Sequence, residues 1–168
     1  MKRAEEWIER LGLIPLPEEG GMYREVYRSG EIIPKTALPA RFDGERCFST
    51  SIYYLLRHPE FSAFHRLRQE EVWHFYEGSP LTVHIIDLDG TCRQMHMGRD
   101  IDSGETLQLV LLAGQLFGAT VDRPDSYSLI GCTVAPGFDL ADFAAPARNE
   151  LLAAYPQHRS LILRLTRG

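Results

Sequence analysis

A single stretch of this sequence gathers side chains able to move a proton. Phe61–Gly78, FSAFHRLRQEEVWHFYEG, sets His65, Glu71 and His74 between runs that are apolar and aromatic enough to be strands. An imidazole beside a carboxylate is the pairing that general acid/base chemistry uses, because the carboxylate holds the ring tautomer and raises its basicity. His65 and Glu71 are therefore the candidate catalytic pair. Tyr76, with Tyr23 and Tyr53 as alternatives, is the candidate for protonating the opposite face of a substrate.

Those side chains need a scaffold that brings them together. Phe61–Leu67 and Glu71–Tyr76 read as a hairpin turned at Arg68-Gln69-Glu70. Strand alternation sends Glu71, Trp73 and Phe75 to one face and Val72, His74 and Tyr76 to the other, so His65 and Glu71 can share a face that His74 leaves unless a bulge re-aims it. Further strands are expected at Met22–Ser29, Phe48–Leu56, Leu81–Leu88, Thr91–Met97, Leu107–Leu112, Gln115–Val121 and Tyr127–Val134, with Asp89-Gly90 as a hairpin turn. Helices are expected at Arg3–Leu11 and Arg148–Tyr155, from apolar residues at helical spacing, and a last short strand at Ser160–Leu165. Glu31–Glu45 reads as an irregular excursion and Leu13–Gly21, with two prolines and a glycine pair, as a tight corner. The sum is an all-β sandwich or barrel of antiparallel strands with helices at both ends.

Several classes fall away on composition. The 168 residues suit one domain, 1–168, with its own core. Net charge is −5 and the basic residues are scattered, which gives no footing for a nucleic-acid partner. Cys47, Cys92 and Cys132 are odd in number and far apart, so they read as reduced thiols instead of a disulfide framework or a thiolate zinc site. The charged N-terminus is unlike a secretory signal and no run reaches membrane-span length, so the expected location is the cytoplasm, with no membrane partner. His84 and His96 stand singly in strands and His58 precedes a proline, which makes none of them a ligand candidate.

The series His65, Leu67, Glu71, Gly78 resembles the first signature of the cupin superfamily in register, with Leu67 where its second histidine would stand. Leu112-Ala113-Gly114 and Phe117 resemble the second signature with its proline and histidine replaced. The segments PEEGGMYREVYRS at 17–29, STSIYYLL at 49–56, FHRLRQEEVWHFYEG at 64–78 and GCTVAPGFDLADF at 131–143 are similar to a small cupin family described as a domain of unknown function. That family commonly has a histidine where this chain has Leu16. The resemblance implies a double-stranded β-helix, or jelly roll, with a small polar ligand in the barrel mouth, and a homodimer joined through strands.

A four-ligand cupin metal site uses three histidines and a glutamate. This chain keeps two of the four, so no metal cofactor is expected; a divalent metal at His65 and Glu71, with His74 or Gln108 completing a different shell, is the alternative. The resulting expectation is metal-independent isomerisation or epimerisation of a sugar or nucleotide sugar, following the logic of metal-free cupin epimerases that the family resembles. Substrate contacts are expected from Tyr23, Arg24, Glu25, Tyr53, Trp73, His74, Gln108 and Phe117, with Trp73, Phe75 and Phe117 as an apolar wall and Arg24 neutralising an anion. Three other readings remain: a binding module without chemistry, a metal-dependent enzyme with an atypical ligand set, and a structural His65–Glu71 pair, just as Trp73 and Phe117 also read as core and Tyr23–Glu25 as a solvated strand.

Overall fold

The structure, a computed structural model, describes residues 2–167. Helix α1 (Lys2–Leu11) leads to strands β1 (Ile14–Pro15) and β2 (Met22–Arg28), the short pair β3 (Ile32–Ile33) and β4 (Arg46–Cys47), and β5 (Thr50–Arg57). Strands β6 (Phe61–Leu67), β7 (Glu70–Gly78), β8 (Leu81–Ile86) and β9 (Cys92–Met97) follow, then β10 (Gln108–Leu111), β11 (Leu116–Val121), β12 (Tyr127–Ala135) and β13 (Phe143–Ala144). Helices α2 (Arg148–Ala154) and α3 (Arg159–Arg164) close the chain.

Two antiparallel sheets make a jelly roll. The larger runs β1-β2-β5-β12-β7-β10 and the smaller β13-β6-β11-β8-β9. Strands β6 and β7, consecutive in sequence, therefore lie in different sheets. The expected hairpin is in fact a corner at which the chain crosses from one sheet to the other, and this is why His65 and Glu71 approach the barrel interior from opposite walls.

Alternation builds the core. Ile130 and Cys132 of β12, Trp73 and Phe75 of β7, and Val83 and Ile85 of β8 point between the sheets and pack with Phe117 and Leu81. Strands β8 and β12 are buried along nearly their whole length, on both faces, because helices cover the outer ones. Ala4 and Leu13 pack on Leu55, Tyr127 and Leu129 behind the large sheet, while Leu151, Ile162 and Leu165 cover Phe64, Ile86 and Leu116 behind the small one. That packing corrects one expectation: Ser160–Leu165 is not a strand but lies largely in α3, because Ile162 and Leu165, three residues apart, present one helical face to the small sheet. No helix among the described residues is long and apolar enough to cross a membrane.

The excursion over 31–45 is anchored, not loose. Strands β3 and β4 pair at its base, and Phe42 is fully buried beneath the guanidinium groups of Arg41 and Arg46. Arg46 in turn makes a buried two-pronged ion pair, donating Nε and Nη2 to the two carboxylate oxygens of Asp142 at 2.6 Å each, and Gln69 Nε2 donates to Asp142 Oδ2 at 2.5 Å. Asp139 instead caps the short turn before β13 by accepting from the Ala141 N–H at 2.9 Å. Removing one member of a buried pair strands the other in a medium of low polarity. Asp142→Ala is expected to cost about 3–5 kcal/mol in urea unfolding, with the double variant R46M/D142L regaining most of it. Additive losses in the double variant would show that the pair carries no such coupling.

Candidate functional site

A cavity of about 490 Å³ opens at one end of the barrel, lined by the corner before β2, the inward residues of β2, β5, β6, β7 and β12, and the segment leading into β13. The corner is built by backbone geometry. Gly20 N–H donates to Leu16 O at 2.7 Å, Leu16 N–H to Gly21 O at 3.0 Å, and Gly20 and Gly21 both take positive φ, +103° and +73°. Any side chain at Gly21 would put its Cβ 2.8 Å from the Tyr54 hydroxyl and from Leu55 O. Tyr54 donates to Gly20 O at 2.9 Å, and the Ala63 N–H binds Glu19 O at 2.8 Å, so the turn is fastened to both sheets. The Glu19 side chain is thereby held in the cavity, where its Oε1 accepts from Ser62 Oγ at 2.8 Å.

His65 is buried, its ring wedged edge-on against Phe117 with centroids 4.2 Å apart and stacked on Phe143 at 5.3 Å. Its Nδ1 lies 2.8 Å from the Ala63 carbonyl. A carbonyl only accepts, so Nδ1 carries a hydrogen, and Nε2 is the ring nitrogen turned to the cavity, 3.8 Å from Glu19 Oε2. Glu71 is 7% exposed, and its Oε2 has no hydrogen-bond partner. Burial, reinforced by the Glu19 carboxylate, pushes the Glu71 pKa up to about 8 against weaker opposition from the Trp73 indole and the Cys132 thiol. Trp73 Nε1 is also without a partner in good hydrogen-bond geometry, so the indole does not cancel the cost of ionising Glu71. Burial and the neighbouring Glu71 likewise hold the Cys132 thiol well above its ordinary range.

Of the residues singled out by sequence, His65, Glu71, Tyr23 and Glu25 line the cavity. The others do not. Tyr76 is on the outer face of the large sheet, 41% exposed, edge-on to Tyr53 at 6.0 Å and lying across Gly131, so it cannot protonate a ligand in the barrel. His74 shares that outer face, as alternation dictates, with Nδ1 3.0 Å from Gln108 Nε2 and Nε2 3.4 Å from Thr133 Oγ1. Arg24 points outward between Tyr23 and Glu25 and donates to Leu11 O at 2.9 Å, which ties α1 to the sheet instead of neutralising an anion. Trp73 and Phe117, each 1% exposed and T-shaped at 6.0 Å, are core behind the His65 ring. The charged neighbour of His65 is Glu19, which lies in the tight corner of the sequence and is signalled there only by the acidic pair inside PEEGG. Arg28, Thr50 and Phe138 also line the cavity unforeseen.

The donor set does not suit a metal. Leu67 lines the cavity and Phe117 backs His65, both with carbon-only side chains where nitrogen ligands would be needed, and among the described residues no three His, Cys, Asp or Glu side chains gather closely enough to hold an ion.

A family model for the cupin superfamily (DUF985) matches residues 5–145. A solved structure of a Shewanella oneidensis protein is 37% identical with a TM-score of 0.88, covering 98% of each chain. A hypothetical protein from Leishmania major is 35% identical with a TM-score of 0.86, over 98% of this chain and 99% of its own. A cupin 2 domain-containing protein from Halorhodospira halophila shares the fold at 13% identity and a TM-score of 0.56, over 91% and 87% of the two chains. No protein of curated function matches the sequence.

The raised pKa of Glu71 has a consequence for stability. Below the ordinary carboxylate range the group is protonated folded or unfolded and costs nothing; as pH rises towards about 8 the folded state resists an ionisation that the unfolded chain undergoes freely, and stability falls. Glu71→Gln is therefore expected to gain on the parent, by about 1–3 kcal/mol, as pH is raised from 5 to 9 in urea titrations. A difference independent of pH would show that Glu71 is ionised in the fold.

Proposed function

Because the chain belongs to the DUF985 family of the cupin superfamily, we propose that its barrel cavity binds a small hydroxylated molecule and isomerises or epimerises it by metal-independent proton transfer. The observation that carries this reading is one wall offering a proton and another offering a lone pair. Glu71 retains its proton at neutral pH and has a free oxygen, while the fixed Nδ1–H of His65 leaves Nε2 as acceptor. A substrate lying between β6 and β7 would lose a proton to His65 on one face and gain one from Glu71 on the other. Tyr23 lines the same cavity and is placed to hydrogen-bond a substrate hydroxyl. Closure of the site by the Phe143 ring and the buried Trp73 and Phe117 lowers the local polarity, which strengthens both transfers.

The proposed setting is the cytoplasm, where Cys47, Cys92 and Cys132, all free thiols, stay reduced. The proposed working form is a homodimer joined through the outer face of the large sheet, where Tyr27, Tyr76 and Val110 lie exposed outside the cover of α1. Sedimentation equilibrium should then return about twice the 19.1 kDa chain mass; a monomer at micromolar concentration would reject the pairing.

The catalytic reading is tested by a thermal-shift screen of sugars, nucleotide sugars and small hydroxy acids, followed by incubation of each stabilising compound in deuterium oxide. Proton transfer at carbon washes deuterium into the ligand, and His65→Ala and Glu71→Gln should each slow the exchange by about 100- to 10,000-fold. Exchange undiminished in His65→Ala would overturn the mechanism, and saturable binding with no exchange by the parent would leave a binding module.

A further inference from the structure

The charge balance of the cavity wall restricts what can enter it. Three carboxylates line it, Glu18, Glu19 and Glu25, together with the protonated carboxyl of Glu71, against Arg28, the one lysine or arginine among its lining residues. Arg28 is already committed. Its Nε and Nη2 donate to the two oxygens of Glu25 at 3.0 and 2.7 Å, and its Nη1 to Phe138 O at 3.0 Å. The Glu19 carboxylate has no such cation, Arg167 Nη2 donating only to the Glu19 backbone carbonyl at 3.2 Å: the side chain is 13% exposed, Ser62 occupies Oε1, and Oε2 stands 3.8 Å from His65 Nε2, beyond hydrogen-bond reach. The buried Oε2 of Glu71 is a second polar group on the same cavity that has no partner. A phosphate or carboxylate brought here would meet carboxylates with no free guanidinium or ammonium to offset its lost hydration. An ammonium group would instead find an under-paired carboxylate and, with three donors, could fill the gap between Glu19 and His65.

We propose that the ligand is a cation, an amine-bearing polyhydroxylated small molecule whose ammonium is held by Glu19 beside His65, and that the cavity rejects phosphorylated and carboxylated analogues. The inference rests on the cavity being the ligand site, as proposed above, and alters the expected substrate class from a nucleotide sugar, whose diphosphate has no partner here, to an amine-bearing polyol.

Three probes that share a ring and differ in charge test it: D-glucosamine as the cation, D-glucose as the neutral compound and D-glucose 6-phosphate as the anion, each titrated into the full chain in slightly acid buffer while the His65 ring resonances are followed by NMR. Glucosamine should bind at least about tenfold more tightly than glucose, and the phosphate ester should leave the resonances unmoved. Glu19→Gln should keep glucose binding and lose the preference. Equal or tighter binding of glucose 6-phosphate, a preference that survives in Glu19→Gln, or silence from all three probes would overturn the proposal. The order of the three probes on the parent protein decides the matter even if the variant does not fold. Because no turnover is read, the charge preference can fail while deuterium exchange stands, and exchange can fail while the charge preference stands.

Discussion

The period of two along β7 decides what the barrel can be. Glu71, Trp73 and Phe75 face inward and Val72, His74 and Tyr76 outward, so a slip of one residue would turn His74 into the apolar core and take Glu71 out of the cavity to the outer face. The register is held from outside as much as from inside. Strand β12 pairs Val134 with Glu71, Cys132 with Trp73 and Gly131 with His74, and it carries a bulge between Leu129 and Ile130. Tyr76 lies across Gly131 so closely that a Cβ there would be 2.2 Å from its hydroxyl. A glycine on one strand and a tyrosine on its neighbour thus help to set which carboxyl group reaches the cavity on the far side of the sheet.

The cavity rim depends on a second fixed point, the buried group formed by Arg46, Asp142 and Gln69. It joins the base of the 31–45 excursion to the tip between β6 and β7 and the turn before β13, two segments that the β6–β13 ladder already brings together. Taking the charges out of water is costly, and the double hydrogen bond with its additional amide donor offsets that cost while fixing relative positions. Phe138, Leu140 and Phe143 flank Asp142 in sequence and line the cavity, so the same carboxylate that completes the ion pair aims the rim. Part of the ring packing on His65 therefore originates in an electrostatic contact outside the cavity itself.

Most of the fold was legible because strands announce themselves by alternation and turns by their dipeptides; Asp89-Gly90 and the aromatic β-branched runs needed little context. Ser160–Leu165 misled because a short apolar run does not distinguish strand from helix until the surface it must cover is known. At the site, alternation already put His74 and Tyr76 on the face away from Glu71, and the structure keeps them there; their residue types attracted a role that their positions do not allow. Gln108 on β10 and Tyr53 on β5 fell outside for the same reason, being the register partners of the outward-facing His74 and Gly131. Glu19 was out of reach because its contact with His65 spans a long stretch of sequence and arises from two glycines in conformations whose outcome no local pattern specifies. The charge class of the ligand was hidden with it, since that argument needs to know that Arg24 points outward and Arg28 is already paired with Glu25.

Leu140 lines the cavity yet is 72% exposed, an apolar side chain kept in water at the entrance by the turn that Asp139 caps. Its hydration shell is held in place as long as the barrel is open. Whatever occupies the mouth and covers that side chain will release ordered water, so occupancy should register as a negative change in heat capacity even where the contacts deeper inside are wholly polar.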